Sequence, residues 1–134
     1  MTTAADLKQV MDQYLGGSET RYQHWANKQF IMSEGLRAVA QVAGAHWWED
    51  VLALEVAPLV LKAFLAGEHA FGIVQLAVSG GKATAHLSLE DDAPPAWSKT
   101  IDFTDFPDGE WSFYLGIDEG PGGFVVTGFI PQEY

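Results

Sequence analysis

The pattern of hydrophobic and polar positions changes its period near residue 70. In the first half, apolar residues recur every three or four positions, which is the spacing of one face of an α-helix. The earliest such set consists of Leu7, Val10, Met11 and Tyr14. Thr3 precedes this set and is followed three positions later by Asp6, a combination typical of a helix start. We therefore predict a first helix that begins after Thr3 and ends at Gly16–Gly17.

Two further helices and a short helical extension are predicted in the same half. Ser33 has the character of an N-cap, ahead of a helix over roughly 34–43. A third helix is expected over about 45–57, and Pro58 then either kinks it or starts a new short helix. The segment 29–32, between the first two helices, is predicted as a short strand or a turn.

From residue 71 onward the period of the pattern is two. Apolar and polar residues alternate without a break over 83–89, as in a strand with one buried face. A similar run over 71–78 precedes it, and Gly80–Gly81 between the two runs predicts a β-hairpin, because glycine tolerates positive φ angles. Three more strands are predicted over 97–103, 111–115 and 124–130.

This order of elements predicts an α+β fold. The N-terminal helices, over about 1–66, should pack on one face of a C-terminal antiparallel sheet of four or five strands, a meander over about 70–131. The chain has 134 residues, of which 48% are hydrophobic and 13% aromatic, enough to fill one core. No linker is long enough to divide it, so we expect a single domain over 1–134.

Acidic residues are concentrated in the last third of the chain. Ten of the 18 acidic residues lie between Leu89 and Tyr134, where Lys99 is the only base, so this third carries about −9 of the net charge of −11. Such a region repels nucleic acid and anionic membranes and favours cationic partners. We therefore predict a surface that binds a basic region of another protein. Its predicted residues are Glu90, Asp91, Asp92, Asp102, Asp118 and Glu119.

Histidines supply the weaker candidates for chemistry. His46 lies three and four residues before Glu49 and Asp50, so on a helix a carboxylate could orient its imidazole, or the pair could serve only as a cap or ion pair. His24 lies in the aromatic segment Tyr22–Trp25, where a buried structural role is the simpler interpretation. Together, His24, His46 and Asp50 are the candidates for a small hydrolase-like site, although no nucleophile motif accompanies them.

Other classes of function are disfavoured by what the sequence lacks. The chain has no cysteine, which excludes disulfides, thiol nucleophiles and thiolate metal sites. The glycine-rich stretch 116–123 carries two acids and no phosphate-loop pattern, and the acidic runs lack the spacing of an EF-hand. We expect no cofactor and no metal. Neither a signal peptide nor a membrane-spanning stretch is predicted, and the expected location is the cytoplasm.

Several short segments, taken in order, are similar to those of one known family. They are Tyr22–Trp25, the strand before Gly35, Ala43–Trp47 with Asp50, Thr104–Pro107, Tyr114–Leu115 and the closing Pro131–Tyr134. In these segments the chain resembles an uncharacterised bacterial family, domain of unknown function 6876. Members of that family occur in bacterial genomes and on phages and other mobile elements. The resemblance implies one domain and an accessory or anti-defence role, and it transfers no catalytic residues.

Three classes of function follow from these observations. The leading hypothesis is a non-enzymatic protein whose acidic third docks on a basic surface of another protein, acting as an inhibitor that competes there with nucleic acid. The second is a small hydrolase-like enzyme centred on His46 and Asp50, which requires the candidate side chains to converge in an open pocket. The third is a homo-oligomeric structural module that pairs through an exposed strand or an aromatic patch.

Overall fold

The computed structural model describes residues 2–16, 20–68, 71–90 and 93–134. Within these ranges the chain forms three mainly α-helical segments, a 3-10 helix (Pro131–Glu133) and one sheet of seven strands. The helices are α1 (Ala4–Asp12), α2 (Glu34–Val42) and α3 (His46–Val51), which continues through a π-helical turn (Leu52–Val56) into α4 (Ala57–Leu65). The strands are β1 (Arg21–Gln23), β2 (Phe30–Ser33), β3 (Phe71–Ser79), β4 (Lys82–Ser88), β5 (Trp97–Ile101), β6 (Gly109–Gly120) and β7 (Gly123–Phe129).

The sheet is mixed, with the strand order β1-β2-β7-β6-β3-β4-β5. Among the described strands, β2 and β7 pair in parallel and the other neighbours pair antiparallel. The α+β class is confirmed, but the predicted antiparallel sheet of four or five strands is too small. β1 was missed, and β2 was predicted only as a short strand or a turn over 29–32, because three and four residues are too few to show an alternating pattern. Both strands precede the predicted sheet in the chain and extend it beyond β7.

The predicted helix starts are confirmed by their caps. The Thr3 hydroxyl accepts a hydrogen bond from the Asp6 backbone N–H at 3.1 Å, and the Asp6 carboxylate accepts one from the Thr3 N–H at 3.2 Å. The Ser33 hydroxyl likewise accepts from the Leu36 N–H at 3.1 Å at the start of α2. These side chains bond donors that the first helical turn leaves without a partner in the helix itself. Both helices therefore begin where their sequence signals indicate.

Pro58 lies in the first turn of α4 and does not interrupt the helix. The preceding π-helical turn shifts the hydrogen bonding by one residue, so that the Ala57 N–H bonds to the Leu52 carbonyl, five positions back. The Ala53 carbonyl, the usual partner of that N–H, instead accepts a hydrogen bond from the side-chain amide of Asn27 at 2.7 Å. The π-helical turn therefore carries the helix past Pro58 and fastens it to the loop before β2.

The helices cover one face of the sheet. Trp48, on α3, is fully buried and packs against Phe113 of β6 with ring centroids 5.4 Å apart. The opposite face carries an aromatic cluster of Phe71, Tyr114, Phe129 and Tyr134. None of the described helices has the length and apolar character needed to cross a membrane.

The predicted hairpin between β3 and β4 is confirmed. Gly80 and Gly81 have φ angles of +61° and +77°, both in the left-handed region that glycine occupies without strain. Two-residue turns of this kind match the twist of the strands they join. The turn sets the β3–β4 register, in which Ser79 pairs with Lys82. It also marks one end of the sheet, which we call the hairpin end.

The C-terminus is fastened to the start of α2. Oε1 of Glu133 accepts hydrogen bonds from the Ser33 hydroxyl at 2.5 Å and the Ile130 N–H at 3.1 Å, and Oε2 accepts one from the Gly35 N–H at 3.2 Å. A carboxylate at this position also interacts favourably with the positive end of the helix dipole. We call Ser33, Gly35 and Glu133 the C-terminal clamp.

Candidate functional site

His24 is a buried structural residue. Its side chain is 2% exposed, and Nδ1 accepts hydrogen bonds from the backbone N–H groups of Ala26 and Asn27, each at 3.1 Å. Because both groups donate to Nδ1, the ring proton lies on Nε2, which donates to Asp50 Oδ1 at 2.8 Å. The indole N–H of Trp25 donates to the same oxygen at 3.2 Å. His24 and Asp50 therefore form a loop clamp that fastens the segment before β2 to α3.

His46 belongs to a different pair. Its Nδ1 lies 3.1 Å from Glu49 Oε1, and the imidazole is 63% exposed while the Glu49 side chain is buried. The structure thus brings Asp50 to His24 and Glu49 to His46. The hydrolase hypothesis requires His24, His46 and Asp50 to meet in an open pocket, and the burial of His24 gives it no geometric support. Their catalytic role stays a prediction.

Among the residues that the structure describes, no three His, Asp or Glu side chains lie close enough together to hold a metal ion.

The four predicted partner-binding acids that the structure describes do not share one surface. Asp102 follows Ile101, which pairs with Ala83 at the start of β4, whereas Glu90 follows the end of β4. At about 3.3 Å per residue the two acids are roughly 20 Å apart along the strand. Asp118 and Glu119 lie with Glu90 at the end of the sheet opposite the hairpin end, which we call the far end. Asp91 and Asp92 lie outside the described residues.

At the hairpin end, Asp102 is joined by acids that the predicted set left out. Gly109 pairs with Val78 and Glu110 with Ala77, next to the β3–β4 turn, so the whole segment 102–110 lies at this end. Asp102, Asp105, Asp108 and Glu110 are all exposed. We call these four residues the acidic end. The clustering comes from a single loop that leaves β5 and enters β6 at the same end of the sheet.

Two of these acids, Asp105 and Asp108, line a groove of about 820 Å³, whereas Asp102 and Glu110 lie at the same end of the sheet outside its lining. Its walls are the residues before and at the start of α1, the turn between α2 and α3, and the loop that follows β5. The lining residues are Thr2–Ala4, Val42–Gly44, Gly81 and Phe103–Asp108. Phe106 is buried, whereas Phe103 is 74% exposed on the rim. The groove therefore combines an apolar interior, an exposed aromatic ring and acidic side chains.

The loop that builds the groove is held at several points. The Thr104 N–H donates to the Gly81 carbonyl at 2.8 Å, and the Thr104 hydroxyl accepts from the Phe106 N–H at 3.1 Å. Asp108 Oδ1 accepts from the Gly80 N–H at 3.0 Å, and the Trp111 indole N–H donates to the Pro107 carbonyl at 2.9 Å. A loop fixed in this way loses little conformational freedom when it binds a partner.

Two further observations bear on the charge of this region. Thr3 lines the groove, and its backbone and side-chain hydrogen bonds with Asp6 hold the pKa of that carboxyl group below its ordinary value of 3.8. The Asp6 carboxylate is therefore ionised at neutral pH. Lys99, the base of the acidic third, is engaged with Glu55, its Nζ lying 3.0 and 3.2 Å from the two carboxylate oxygens. The positive charge of Lys99 is thus directed to the helices and not to the acidic end.

Sequence reasoning missed Phe103 and three of the four acids at this end. The density of aspartates between residues 102 and 108 was visible in the sequence, but the path of the loop decides that Asp105 and Asp108 line the groove and that Asp102 does not. The exposure of Phe103 had no signal, because in a strand that continues to 103 the alternation places this residue on the same buried face as Ile101. β5 ends at Ile101, and Phe103 therefore lies in the loop.

The comparison with protein families gives one match. The chain belongs to a family of unknown function, DUF6876, whose model matches residues 4–134. The segments Tyr22–Trp25 and Pro131–Tyr134, on which the resemblance rested, contain residues of the loop clamp and the C-terminal clamp. No curated protein and no solved structure matches the chain.

Proposed function

We propose that this protein acts by binding a basic segment of another protein in the groove at its acidic end. The observation that carries this proposal is the placement of Asp105 and Asp108 in the wall of one groove of about 820 Å³, with Asp102 and Glu110 exposed at the same end of the sheet. Several like charges beside a low-dielectric surface raise the local concentration of an oppositely charged partner and speed its association. The net charge of −11 extends this attraction beyond the groove.

Phe103 supplies the short-range part of the proposed recognition. An exposed aromatic ring attracts a cationic guanidinium or ammonium group through its π-electrons, and aromatic residues are frequent among those that dominate binding energy. Asp105 lies in the same wall of the groove and would form an ion pair with such a group. We therefore propose an arginine- or lysine-containing segment as the occupant, with its apolar neighbours in the groove.

A finer proposal concerns the partner. A basic surface that fits an acidic groove is also a surface that binds phosphates, so the protein would compete with nucleic acid for its partner. This is the interaction expected of an inhibitor of a nucleic-acid-binding protein, including one that serves in defence. It rests on charge complementarity and on the accessory role that the family resemblance implies.

The test uses two variants with the same change in net charge. The acidic-end variant carries Asp102→Asn, Asp105→Asn and Glu110→Gln. The far-end variant carries Glu68→Gln, Glu90→Gln and Glu119→Gln, where Glu68 lies between α4 and the start of β3 at the far end. Partners are first captured from a lysate of the native host at low and high salt, and a salt-sensitive partner is then purified. Its association rate with each variant is measured over a range of ionic strengths.

We expect the acidic-end variant to associate about tenfold more slowly at low salt and to show a weaker salt dependence, while the far-end variant changes little. Phe103→Ala should raise the dissociation rate without changing stability, because the ring is exposed. Equal effects of the two variants would contradict binding at the acidic end. A slower rate in the far-end variant alone would instead place the partner on Glu90 and Glu119.

The homo-oligomeric module stays a prediction, and the mass of the protein in solution decides it. Self-association through any surface must overcome the repulsion between two chains of charge −11. A dimer that dissociates at low salt and forms at high salt would show that this repulsion is the main barrier. A mass equal to 14.6 kDa at both salt concentrations would exclude the module.

A further inference from the structure

A second cavity, of about 470 Å³, lies away from the acidic end, between the loop before β2 and the helix that contains the π-helical turn. The volume is within the range of small-molecule sites, about 300–1,000 Å³. Its apolar lining residues are Ala26, Ala53, Leu54, Ala57, Pro58, Leu61, Leu65 and Val126. Its polar lining residues are Asn27, Gln29 and Lys62.

The cavity has a structural origin in the π-helical turn. Asn27 fastens the loop to the Ala53 carbonyl at 2.7 Å, and its Oδ1 accepts from the Gln29 N–H at 3.0 Å. The loop is therefore held close to the helix at Ala53, and the space opens beyond this point toward α4. Turns of this type are found disproportionately at functional sites because they place backbone and side-chain groups where a regular helix does not.

The rim of the cavity exposes apolar surface that the protein itself does not cover. Leu54 is 52% exposed and Leu65 is 66% exposed, and both line the cavity. Removing such side chains from water is favourable, at about 25 cal/mol for each Å² of apolar surface. An apolar ligand between them would gain this free energy.

The charge at the cavity is opposite to that of the protein. Lys62 is the one charged side chain among the described lining residues, in a chain of net charge −11. Glu55, on the same helical segment, is engaged with Lys99 at 3.0 Å and does not neutralise Lys62. The side-chain amide of Gln29 provides a further polar group at the loop side, whereas that of Asn27 is engaged with Ala53 and Gln29. A ligand with one anionic group and an apolar body matches this arrangement.

We infer that this cavity binds a small amphipathic carboxylate. Its apolar body would lie against Leu54, Leu61 and Leu65, and its carboxylate would pair with the Lys62 ammonium group. This site is separate from the acidic end, so it goes beyond the proposed interaction with a basic partner, and the two can be tested independently.

The probe is dodecanoate, compared with dodecanol as a neutral ligand of equal chain length. Binding to the whole protein is followed by two-dimensional amide NMR, which reports both affinity and location. We expect saturable shifts of Asn27, Gln29, Leu61 and Lys62, and smaller shifts at Gly81 and Asp105 in the acidic groove. The absence of saturable shifts at the cavity up to millimolar dodecanoate would overturn the inference.

Three variants separate the ionic and apolar parts of binding. Lys62→Gln should weaken dodecanoate binding about threefold, as expected for an exposed ion pair, and leave dodecanol unchanged. Lys82→Gln, which makes the same charge change at the hairpin end, should have no effect on either. Ala26→Trp fills the cavity from an exposed position and should abolish binding of both ligands. Equal effects of the two lysine variants, or unchanged binding in Ala26→Trp, would overturn the site.

Discussion

Gly35 lies in the first turn of α2, and a single contact determines whether replacing it with alanine raises or lowers the stability of the fold. A Cβ atom added at this position would lie 2.6 Å from both Cδ and Oε1 of Glu133, far closer than carbon and carboxylate atoms approach. The carboxylate of Glu133 accepts three hydrogen bonds, from Ser33, Gly35 and Ile130. The variant Gly35→Ala therefore has to displace this carboxylate and break the C-terminal clamp.

Two opposing effects set the size of the stability change in Gly35→Ala. Alanine in place of glycine stabilises a helix by about 0.5–1 kcal/mol, and the first turn should give the low end of this range. Hydrogen bonds to a charged acceptor contribute about 1.5–3 kcal/mol each when fully formed and desolvated. At this half-buried site water replaces part of them, so we take about 2 kcal/mol for loss of the whole clamp. The expected net destabilisation by Gly35→Ala is about 1.5 kcal/mol.

The assay is urea denaturation followed by tryptophan fluorescence, for which the chain has five tryptophans. Glu133→Ala alone should cost about 2 kcal/mol, and the double variant should be about 0.5 kcal/mol more stable than Glu133→Ala, because the added methyl group then meets no carboxylate. Gly122→Ala is the matched control, since a Cβ there would have no heavy atom within 4 Å. The reasoning is refuted if Gly35→Ala is as stable as the wild type, or if the double variant is less stable than Glu133→Ala.

Three further predictions concern individual side chains. In urea denaturation, His24→Ala should destabilise the fold by about 3 kcal/mol, because it removes a buried ring and its hydrogen bonds. Asp50→Asn keeps an acceptor oxygen and should cost under about 1 kcal/mol. Equal destabilisation by the two variants would contradict the loop clamp. Burial, and secondarily the charges of nearby glutamates, raises the pKa of Tyr14 above its ordinary value of 10.0. Its contribution to stability is therefore complete below pH 10 and lost as pH rises further, so Tyr14→Phe should reduce the alkaline loss of stability, and parallel profiles would contradict this. The pKa of Asp6 is lowered by hydrogen bonds with the Thr3 backbone and hydroxyl, so its contribution is present above pH 3.8 and lost as pH falls through the lower folded value. Asp6→Asn should flatten the dependence of stability on pH below pH 4. If that dependence is unchanged, the hydrogen bonds between Thr3 and Asp6 contribute nothing to stability in this range.

Elements with local signals could be predicted from the sequence. Thr3 and Ser33 begin their helices because the cap interactions involve residues only three positions away. The β3–β4 hairpin was equally local, since Gly80–Gly81 determines its turn. The parallel pairing of β2 with β7 was not predictable in this way. Phe30 and Val126, which pair there, are 96 positions apart in the chain, and neither strand specifies its neighbour by pattern alone.

The candidate site was predictable only in its charge. The excess of acids in the last third could be counted, but their division between the hairpin end and the far end follows from the strand register. The two carboxylates near His46 illustrate the same limit. Spacing on a helix allowed either Glu49 or Asp50 to reach the imidazole, and the choice was made by His24, a residue 26 positions before Asp50 that lies on another element.

The positions of the recognisable segments help to separate structure from function. Tyr22–Trp25 contains His24 of the loop clamp, and Pro131–Tyr134 contains Glu133 of the C-terminal clamp, so a contribution to stability is enough to explain both segments. Thr104–Pro107 contains one residue that stability does not explain. Thr104 and Phe106 shape the loop from within, but Asp105 points its exposed carboxylate to the groove, 3.9 Å from a Cβ built at Gly44. A carboxylate at that position is not needed to fold the loop, because the Thr104 and Asp108 hydrogen bonds already hold it. Asp105→Asn should therefore leave the urea midpoint unchanged and still slow association with a basic partner, and a loss of stability equal to that of a broken clamp would assign this residue to the fold instead.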